Sequence, residues 1–176
     1  MSETPPHSPA ANPPEILFVC LGNLCRSPMA EELLKQRLNA AGLGERYRVR
    51  SAGIIARRDQ VPPIEAVRAA AEYGVDLRRH LSTPLTAALL ERAALVVAMD
   101  RMNVELILNL VPDLGSRLRL MTSFAEQDAA AGDDGAGDWV GRFDVPDPMG
   151  ESPEVYQESY RRIADGVAGL LKSLRS

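Results

Sequence analysis

Short continuous apolar runs alternate along the chain with segments whose apolar positions recur at helical spacing. The run Ile-Leu-Phe-Val within residues 15–20 is continuous, which is typical of a strand that is buried on both faces. Residues 94–98, Ala-Leu-Val-Val-Ala, predict a buried strand in the same way. The alternation over 47–50 predicts another strand, which the Ser-Ala-Gly at 51–53 ends, and residues 117–121 predict a fourth.

Helix start and stop signals stand between these strands. Ser27 is a good N-cap and Pro28 suits the first helical position, so a helix is predicted from there to Gly42. Thr83-Pro84 is a cap-and-start pair of the same kind. Four further helices are predicted at about 62–73, 83–92, 101–110 and 153–174. Strands alternating with helices indicate an α/β fold of three layers, in which helices cover both faces of a central four-stranded parallel sheet.

The length of 176 residues fits one domain. Residues 1–14 lack the basic start and apolar centre of a secretory signal, and they predict a disordered, proline-rich tail. Residues 15–176 then form a single domain, within which 126–144 are rich in Ala, Gly and Asp and predict a mobile acidic loop. Because the sequence contains no run of about 18 apolar residues, we expect no membrane span.

The net charge and the cysteine content of the chain argue against several functional classes. The 20 Lys and Arg residues against 24 Asp and Glu leave a formal charge of −4. This balance argues against nucleic acid as a partner, since nucleic-acid-binding proteins usually carry a basic surface. The sequence contains two cysteines, Cys20 and Cys25, and two histidines, His7 and His80. A structural zinc site usually takes four Cys or His ligands, so such a site is hard to assemble from these residues. We therefore expect a reduced, cytoplasmic protein.

The segment from Cys20 to Ser27 joins the first predicted strand to the first predicted helix. In open parallel sheets, ligands bind at the carboxyl ends of strands, and this segment begins at such an end. Consecutive backbone N–H groups and the positive end of a helix bind anions, and Arg26 adds a planar group that can hold two phosphate oxygens. The same positive surroundings favour the thiolate form of Cys20. The segment therefore combines a candidate nucleophile with a candidate phosphate site.

Asp147 is the candidate general acid. A thiolate that attacks phosphorus needs an acid that protonates the leaving oxygen. Asp147 lies in Val-Pro-Asp-Pro over 145–148, and the flanking prolines stiffen the segment that would hold its carboxyl above the phosphate. An isolated Asp-Pro pair is most often a turn, so this assignment depends on the cysteine-containing segment that accompanies it.

Two motifs and their order resemble a known family. Phe18–Pro28, Phe-Val-Cys-Leu-Gly-Asn-Leu-Cys-Arg-Ser-Pro, and residues 145–148 resemble the two signatures of the low-molecular-weight protein tyrosine phosphatases. Between these motifs the segments similar to the family are Ser-Ala-Gly at 51–53, Gly-Val-Asp at 74–76 with His80, and Leu-Val-Val-Ala-Met-Asp at 95–100. The resemblance covers about residues 15–174 and implies a phosphate-binding loop after the first strand.

The resemblance implies a role for each matched residue. Cys20 is the implied nucleophile, Arg26 binds the phosphate, and Asp147 is the general acid. Ser27 assists the thiolate as a leaving group. The implied reaction is a double displacement through a phosphocysteine, without metal or cofactor, because the loop amides and Arg26 neutralise the phosphoryl charge. The other loop residues implied in phosphate binding are Leu21, Gly22, Asn23, Leu24 and Cys25.

Supporting roles follow from the same resemblance. Asn23, Ser51 and His80 match family positions that hydrogen-bond together and hold the phosphate loop in its strained shape. Cys25 matches the family's second cysteine, which can form a disulfide with Cys20 under oxidation.

The implied substrate is phosphotyrosine in a protein, and we expect a monomer or a weak dimer. Family members usually carry aromatic residues on the walls of the substrate pocket. In this chain Arg57 and Met149 hold the wall positions, and neither is aromatic. Leu24 is expected to line the pocket, where it favours a phenol ring over a polar phosphoguanidinium group.

Three alternatives stay open. Residues 80–86 and 154–156 resemble the protein arginine phosphatase branch of the family, which tends to place Thr where this chain has Leu24. Thioredoxin-linked arsenate reductases share the loop but require further cysteines downstream, and the sequence has none after Cys25. A non-catalytic phosphate-binding module would bind without turnover. The presence of a complete catalytic set argues against it, namely Cys20, Arg26, Ser27 and Asp147.

Overall fold

The computed structural model describes residues 12–125 and 143–176. Its sheet has four parallel strands in the order β2-β1-β3-β4. The strands are β1 Glu15–Cys20, β2 Arg48–Gly53, β3 Leu95–Ala98 and β4 Leu118–Leu120. All four lie where the sequence predicted a strand, and β1 is buried along its whole length. The Ser-Ala-Gly at 51–53 was predicted to end the second strand, but these residues continue β2 because they pair with the last three residues of β1. Most of the predicted tail and of the predicted acidic loop lies outside the described residues.

Within the described residues, five α-helices cover the two faces of this sheet. They are α1 Arg26–Ala40, α2 Ile64–Ala71, α3 Ala87–Arg92, α4 Arg101–Leu110 and α5 Pro153–Leu174. Helices α1, α2 and α5 pack on one face, where Met29 of α1, Ala66 of α2 and Ile163 of α5 belong to one buried cluster. Helices α3 and α4 cover the other face through Leu90 and Ile107. The predicted three-layer α/β/α architecture is therefore confirmed.

The first helix begins two residues earlier than its capping signal predicted. Helix α1 starts at Arg26, its N-cap residue is Cys25, and no side chain caps it. Ser27 is instead buried inside the first turn, where its hydroxyl lies 3.0 Å from the Cys20 sulfur. The prediction that Ser27 is the N-cap was wrong because a tertiary contact, which local spacing cannot show, takes up this hydroxyl.

The predicted helix start at Thr83-Pro84 was also wrong. Helix α3 begins at Ala87, and the side chain of Thr86 caps it by accepting from the Leu89 amide. Pro84 pairs with Gly53 in an isolated parallel bridge beside β2. The Gly53 amide donates to the Thr83 carbonyl at 2.9 Å, so the backbone of this segment extends the sheet and is unavailable for a helix.

The carboxyl ends of β1 and β3 bring three distant segments together. Cys20 ends β1, and Asp100 lies two residues beyond the end of β3. The Val145 amide donates to the Met99 carbonyl at 2.8 Å, which attaches the segment that carries Asp147 to the same end of the sheet.

In the described part of the chain no helix has the length and apolar content needed to cross a membrane.

Candidate active site

The Cys20 sulfur lies among hydrogen-bond donors. The backbone amide of Asn23 donates to Sγ at 3.2 Å, and Ser27 Oγ lies 3.0 Å from it. A thiolate has no proton, so in that form the Ser27 hydroxyl donates to sulfur. Both contacts stabilise a negative sulfur, which is the form that attacks phosphorus and the form that leaves it.

Asn23 holds the phosphate loop in a strained conformation. It has a φ of 56°, in the left-handed region that few residues other than glycine adopt. Its side-chain nitrogen donates to Ser27 Oγ at 2.9 Å and to Ser51 Oγ at 2.8 Å. Its side-chain oxygen accepts from the Thr83 amide at 2.8 Å, and its carbonyl accepts from His80 Nε2 at 2.9 Å. These contacts fix a backbone that would otherwise relax.

The support continues behind Ser51. The Ser51 hydroxyl donates to Glu31 at 2.5 Å, and Lys35 lies 2.6 Å from the other oxygen of that carboxylate. The structure thus brings Asn23, Ser51 and His80 together as the resemblance implied. Glu31 and Thr83 belong to the same network, and sequence reasoning missed both because neither has a distinguishing spacing.

Arg26 is a buried cation whose two terminal nitrogens have partners in the protein. It is 1% exposed, and its Nη1 donates to Asp100 at 2.6 Å and to the Val145 carbonyl at 3.1 Å. Its Nη2 lies 3.1 Å from the Asp147 carboxylate. Nε has no hydrogen-bond partner among the described residues, although it is buried. A buried donor without a partner is costly, so this edge of the guanidinium suits an incoming anion.

Burial lowers the pKa of Arg26, but the neighbouring negative groups outweigh it. The charges of Cys20 and Asp147 and the hydrogen bond to Asp100 leave its pKa above the ordinary value. The guanidinium therefore keeps its charge at neutral pH.

Asp100 is a functional residue to which sequence reasoning assigned no role. One carboxylate oxygen accepts from Arg26, and the other accepts from the Asn103 amide at 2.6 Å as the N-cap of α4. Its position just after a buried parallel strand, where ligands bind, was the signal that could have identified it.

The active-site cavity has a volume of about 160 Å³. Its lining residues are Cys20, Leu21, Gly22, Leu24, Cys25, Arg26, Ile55, Asp147 and Met149. Leu24 and Met149 lie where the pocket was expected. Arg57 is not among the lining residues. Ile55 lines the cavity instead, and its amide donates to the Leu21 carbonyl at 2.9 Å, which holds it beside the phosphate loop.

Cys25 is a free, buried thiol next to α5. Its sulfur lies 3.7 Å from the Tyr156 hydroxyl, and the Tyr160 hydroxyl donates to its carbonyl at 3.1 Å. Burial raises the pKa of the Cys25 thiol to about 12, so it stays protonated at neutral pH. A thiol of this kind attacks an oxidised sulfur slowly, and the Cys20–Cys25 disulfide stays a prediction.

The described residues include no group of three or more His, Cys, Asp or Glu side chains that could hold a metal ion. The chemistry that the site can perform with its own residues is nucleophilic attack by sulfur, charge neutralisation by Arg26 and proton transfer by Asp147.

The chain is similar to known proteins over nearly its whole length. A family model described as low molecular weight phosphotyrosine protein phosphatase matches residues 15–176. A protein-arginine-phosphatase of Bacillus subtilis is 34% identical over 161 residues, which cover 92% of this chain and 97% of that protein. A low molecular weight protein-tyrosine-phosphatase of Streptomyces coelicolor is 33% identical over 165 residues, covering 91% and 93%. The crystal structure of a low molecular weight phosphotyrosine phosphatase from Vibrio cholerae is 29% identical, with a TM-score of 0.77, and covers 92% of this chain and 97% of that one.

Proposed function

Because the chain belongs to the low molecular weight phosphotyrosine protein phosphatase family, we propose that it hydrolyses phosphotyrosine in proteins through a phosphocysteine on Cys20. The family acts on phosphorylated proteins by a cysteine-based mechanism. The roles of the individual residues in this chain follow from the contacts at the cavity.

In the first step, the Cys20 thiolate attacks phosphorus and a sulfur–phosphorus bond forms. The bond from phosphorus to the tyrosine oxygen breaks, and Asp147 gives its proton to that oxygen, so the product leaves as a neutral phenol. Arg26 and the amides of the phosphate loop bind the three phosphoryl oxygens, whose charge they neutralise in the transition state.

In the second step, water attacks phosphorus while Asp147, now a carboxylate, takes a proton from it. The sulfur–phosphorus bond breaks, and the electron pair returns to the Cys20 sulfur. The Ser27 hydroxyl, 3.0 Å from that sulfur, and the Asn23 amide stabilise the departing thiolate. Inorganic phosphate then leaves, and the starting state is restored.

The observation that carries this proposal is the arrangement of Arg26. Its Nη1 is fixed by Asp100 and the Val145 carbonyl, its Nη2 reaches Asp147, and its buried Nε has no partner among the described residues. A guanidinium held in this way presents a donor beside the nucleophile Cys20 without further reorganisation. Such preorganisation is what electrostatic catalysis of phosphoryl transfer requires.

The walls of the cavity support phosphotyrosine as the substrate. Leu24, Ile55 and Met149 are apolar, and contact with a phenol ring contributes about 25 cal/mol for each Å² that is buried. A phosphoguanidinium group carries polar N–H groups, and burying one without an acceptor costs on the order of 1–3 kcal/mol.

Phosphoarginine is the second candidate substrate. The Bacillus subtilis relative, which is 34% identical, is named a protein-arginine-phosphatase. In this chain Asp147 is 44% exposed at the cavity, where its carboxylate could accept a hydrogen bond from a guanidinium group. A phosphoguanidinium needs a hydrogen-bond acceptor at position 24, whereas a phenol ring needs an apolar contact there. This chain has the apolar Leu24.

The test is to compare turnover of phosphotyrosine, phosphoarginine and phosphoserine peptides without added metal, using wild type and Cys20→Ser. We expect the highest kcat/KM on phosphotyrosine. Cys20→Ser should lose turnover and still bind vanadate, because a hydroxyl does not form the thiolate that attacks phosphorus. Residual activity above about one part in a thousand would indicate another nucleophile. Vanadate binding with no turnover in the wild type would favour the non-catalytic module.

A further inference from the structure

A groove lies on the far side of the phosphate-loop network from the active-site cavity. It has a volume of about 380 Å³, and none of the described residues that line it also lines that cavity. We call it the rear groove, and its polar lining residues are Glu31, Arg50, Ser51, Arg58, His80 and Thr83. A larger, open depression continues from it past Glu31, His80 and Leu81. A volume of this size is within the range of small-molecule sites.

Two arginines, Arg50 and Arg58, line the rear groove. Arg50 and Arg58 are exposed, and neither side chain has an ion pair or hydrogen bond among the described residues. The carboxylate in the lining is that of Glu31, which already accepts from Ser51 and pairs with Lys35 at 2.6 Å. The two guanidinium groups are therefore available to an anion, and guanidinium binds phosphate oxygens in pairs.

Apolar surface adjoins these charges. Leu81 is 50% exposed and lines the rear groove together with the partly buried Leu89. An exposed leucine beside two exposed arginines suits a ligand with an anionic end and an apolar body. We propose that the rear groove is a second binding site, which takes a small organic phosphate through Arg50 and Arg58 and contacts its apolar part through Leu81.

A ligand in this groove lies against the residues that hold the phosphate loop. Ser51, His80 and Thr83 line the groove, and each makes a hydrogen bond of 2.8–2.9 Å to Asn23. Asn23 in turn donates its amide to the Cys20 sulfur. Occupation of the rear groove therefore alters the strength of the contacts that keep the loop in its catalytic shape. This coupling, unlike the binding itself, rests on the proposed function.

The binding experiment is done with the active site filled. Protein saturated with orthovanadate is titrated with phenylphosphonate, which has no ester bond to hydrolyse, and with inorganic phosphate, while heat is measured. We expect one equivalent of phenylphosphonate to bind more tightly than inorganic phosphate. Equal affinity for the two would refute the apolar contact and identify free phosphate as the ligand.

A matched pair of double variants tests the location. Arg50→Ala with Arg58→Ala should weaken phenylphosphonate binding about tenfold or more. Arg46→Ala with Arg48→Ala removes the same charge from exposed positions that do not line the groove, and it should change affinity less than about twofold. No binding to vanadate-saturated wild type, or equal losses in both double variants, would overturn the site. Vanadate that fails to bind at all would instead count against the proposed function.

The coupling is tested with kcat. Phenylphosphonate that binds only at the active site competes with substrate and raises KM alone. We expect it to change kcat for a phosphotyrosine peptide by about twofold or more in the wild type and in the Arg46/Arg48 double variant, and not in the Arg50/Arg58 double variant. Binding with an unchanged kcat would refute the coupling.

Discussion

Asp147 differs from the other residues at the cavity in having access both to solvent and to Arg26. It is 44% exposed, and its carboxylate lies 3.1 Å from Arg26 Nη2. A group placed in this way can exchange protons with water and with a leaving oxygen, whereas Asp100 is only 13% exposed and is held by Arg26 and the start of α4. The two carboxylates that contact Arg26 therefore have different surroundings: Asp100 positions the guanidinium, and Asp147 is the one that the proposed reaction uses for proton transfer.

Asp147→Ala should slow the hydrolysis of phenyl phosphate far more than that of nitrophenyl phosphate. General acid catalysis contributes roughly 10²–10⁴-fold when the leaving oxygen needs a proton, and nitrophenolate leaves without one. The measurement is kcat on both esters, with vanadate affinity as the control for an intact phosphate site. Equal losses on the two esters would exclude Asp147 as the acid.

Leu24→Thr should shift the ratio of kcat/KM toward phosphoarginine by about tenfold or more, the factor that 1.4 kcal/mol represents. Leu24 lines the cavity, and a threonine hydroxyl there offers an acceptor to the N–H groups of a phosphoguanidinium. The ratio is measured with matched phosphotyrosine and phosphoarginine peptides. If the wild type already prefers phosphoarginine, this interpretation of Leu24 is wrong.

At the scale of elements, helix α5 fixes the end of the phosphate loop. The Tyr160 hydroxyl, on a fully buried side chain, donates to the Cys25 carbonyl at 3.1 Å. The same carbonyl accepts from the Met29 amide at a long 3.4 Å in the first turn of α1. The ring of Tyr156 packs edge-on against Tyr160 with centroids 6.2 Å apart. A helix more than a hundred residues away in the chain thus sets the position of the residue before Arg26.

Tyr160→Phe should lower kcat several-fold and cost about 1 kcal/mol of unfolding free energy, because it removes this hydrogen bond and keeps the ring. Tyr47→Phe is the matched control. The Tyr47 hydroxyl donates to the Leu174 carbonyl far along α5, so its loss should reduce stability and leave kcat unchanged. Turnover assays give kcat and urea unfolding gives the unfolding free energy, both at the same temperature. Equal effects on kcat in the two variants would show that Tyr160 has no positioning role.

At the scale of the whole molecule, the buried groups around Cys25 make stability depend on alkaline pH. Burial raises the pKa of Cys25 from 9.0 to about 12. Burial also raises the pKa values of Tyr156 and Tyr160 above the ordinary tyrosine value. The unfolded chain therefore releases these protons at a lower pH than the folded protein does. The stabilisation is fully present below about pH 9 and is lost as pH rises toward the folded-state pKa values.

The free energy of unfolding should therefore fall between about pH 9 and 12, by up to about 1.4 kcal/mol per pH unit for each such group. The comparison is the slope of unfolding free energy against pH for wild type and Cys25→Ala. The variant should have the shallower slope, whatever its stability at neutral pH. Parallel slopes would mean that Cys25 does not contribute.

The sequence alone predicted the sheet and the chemistry of its first loop. The strand at 15–20 is continuous and apolar, so its burial and its parallel neighbours followed from local pattern. Cys20, Arg26 and the start of α1 lie within seven residues, and their joint action as an anion site depends mainly on local backbone geometry. Asp147 was identified through its motif, because spacing along the chain does not reveal which loop meets the phosphate.

Only the tertiary structure decided which side chains face one another across the molecule. Arg26 is fixed by Asp100 and Val145, and Asn23 is supported by Thr83, although all three lie far from the loop in sequence. Glu31 is close to the loop in sequence, but it supports Asn23 only through the distant Ser51. Pairing of Gly53 with 83–84 moved the start of α3 from Thr83 to Ala87. The hydrogen bond from the Ile55 amide to Leu21 placed Ile55 on the cavity wall where Arg57 was expected. Hydrophobic period and capping preference report on a residue's own turn or strand. Hydrogen bonds between elements depend on how the sheet and helices pack, which those local preferences do not encode.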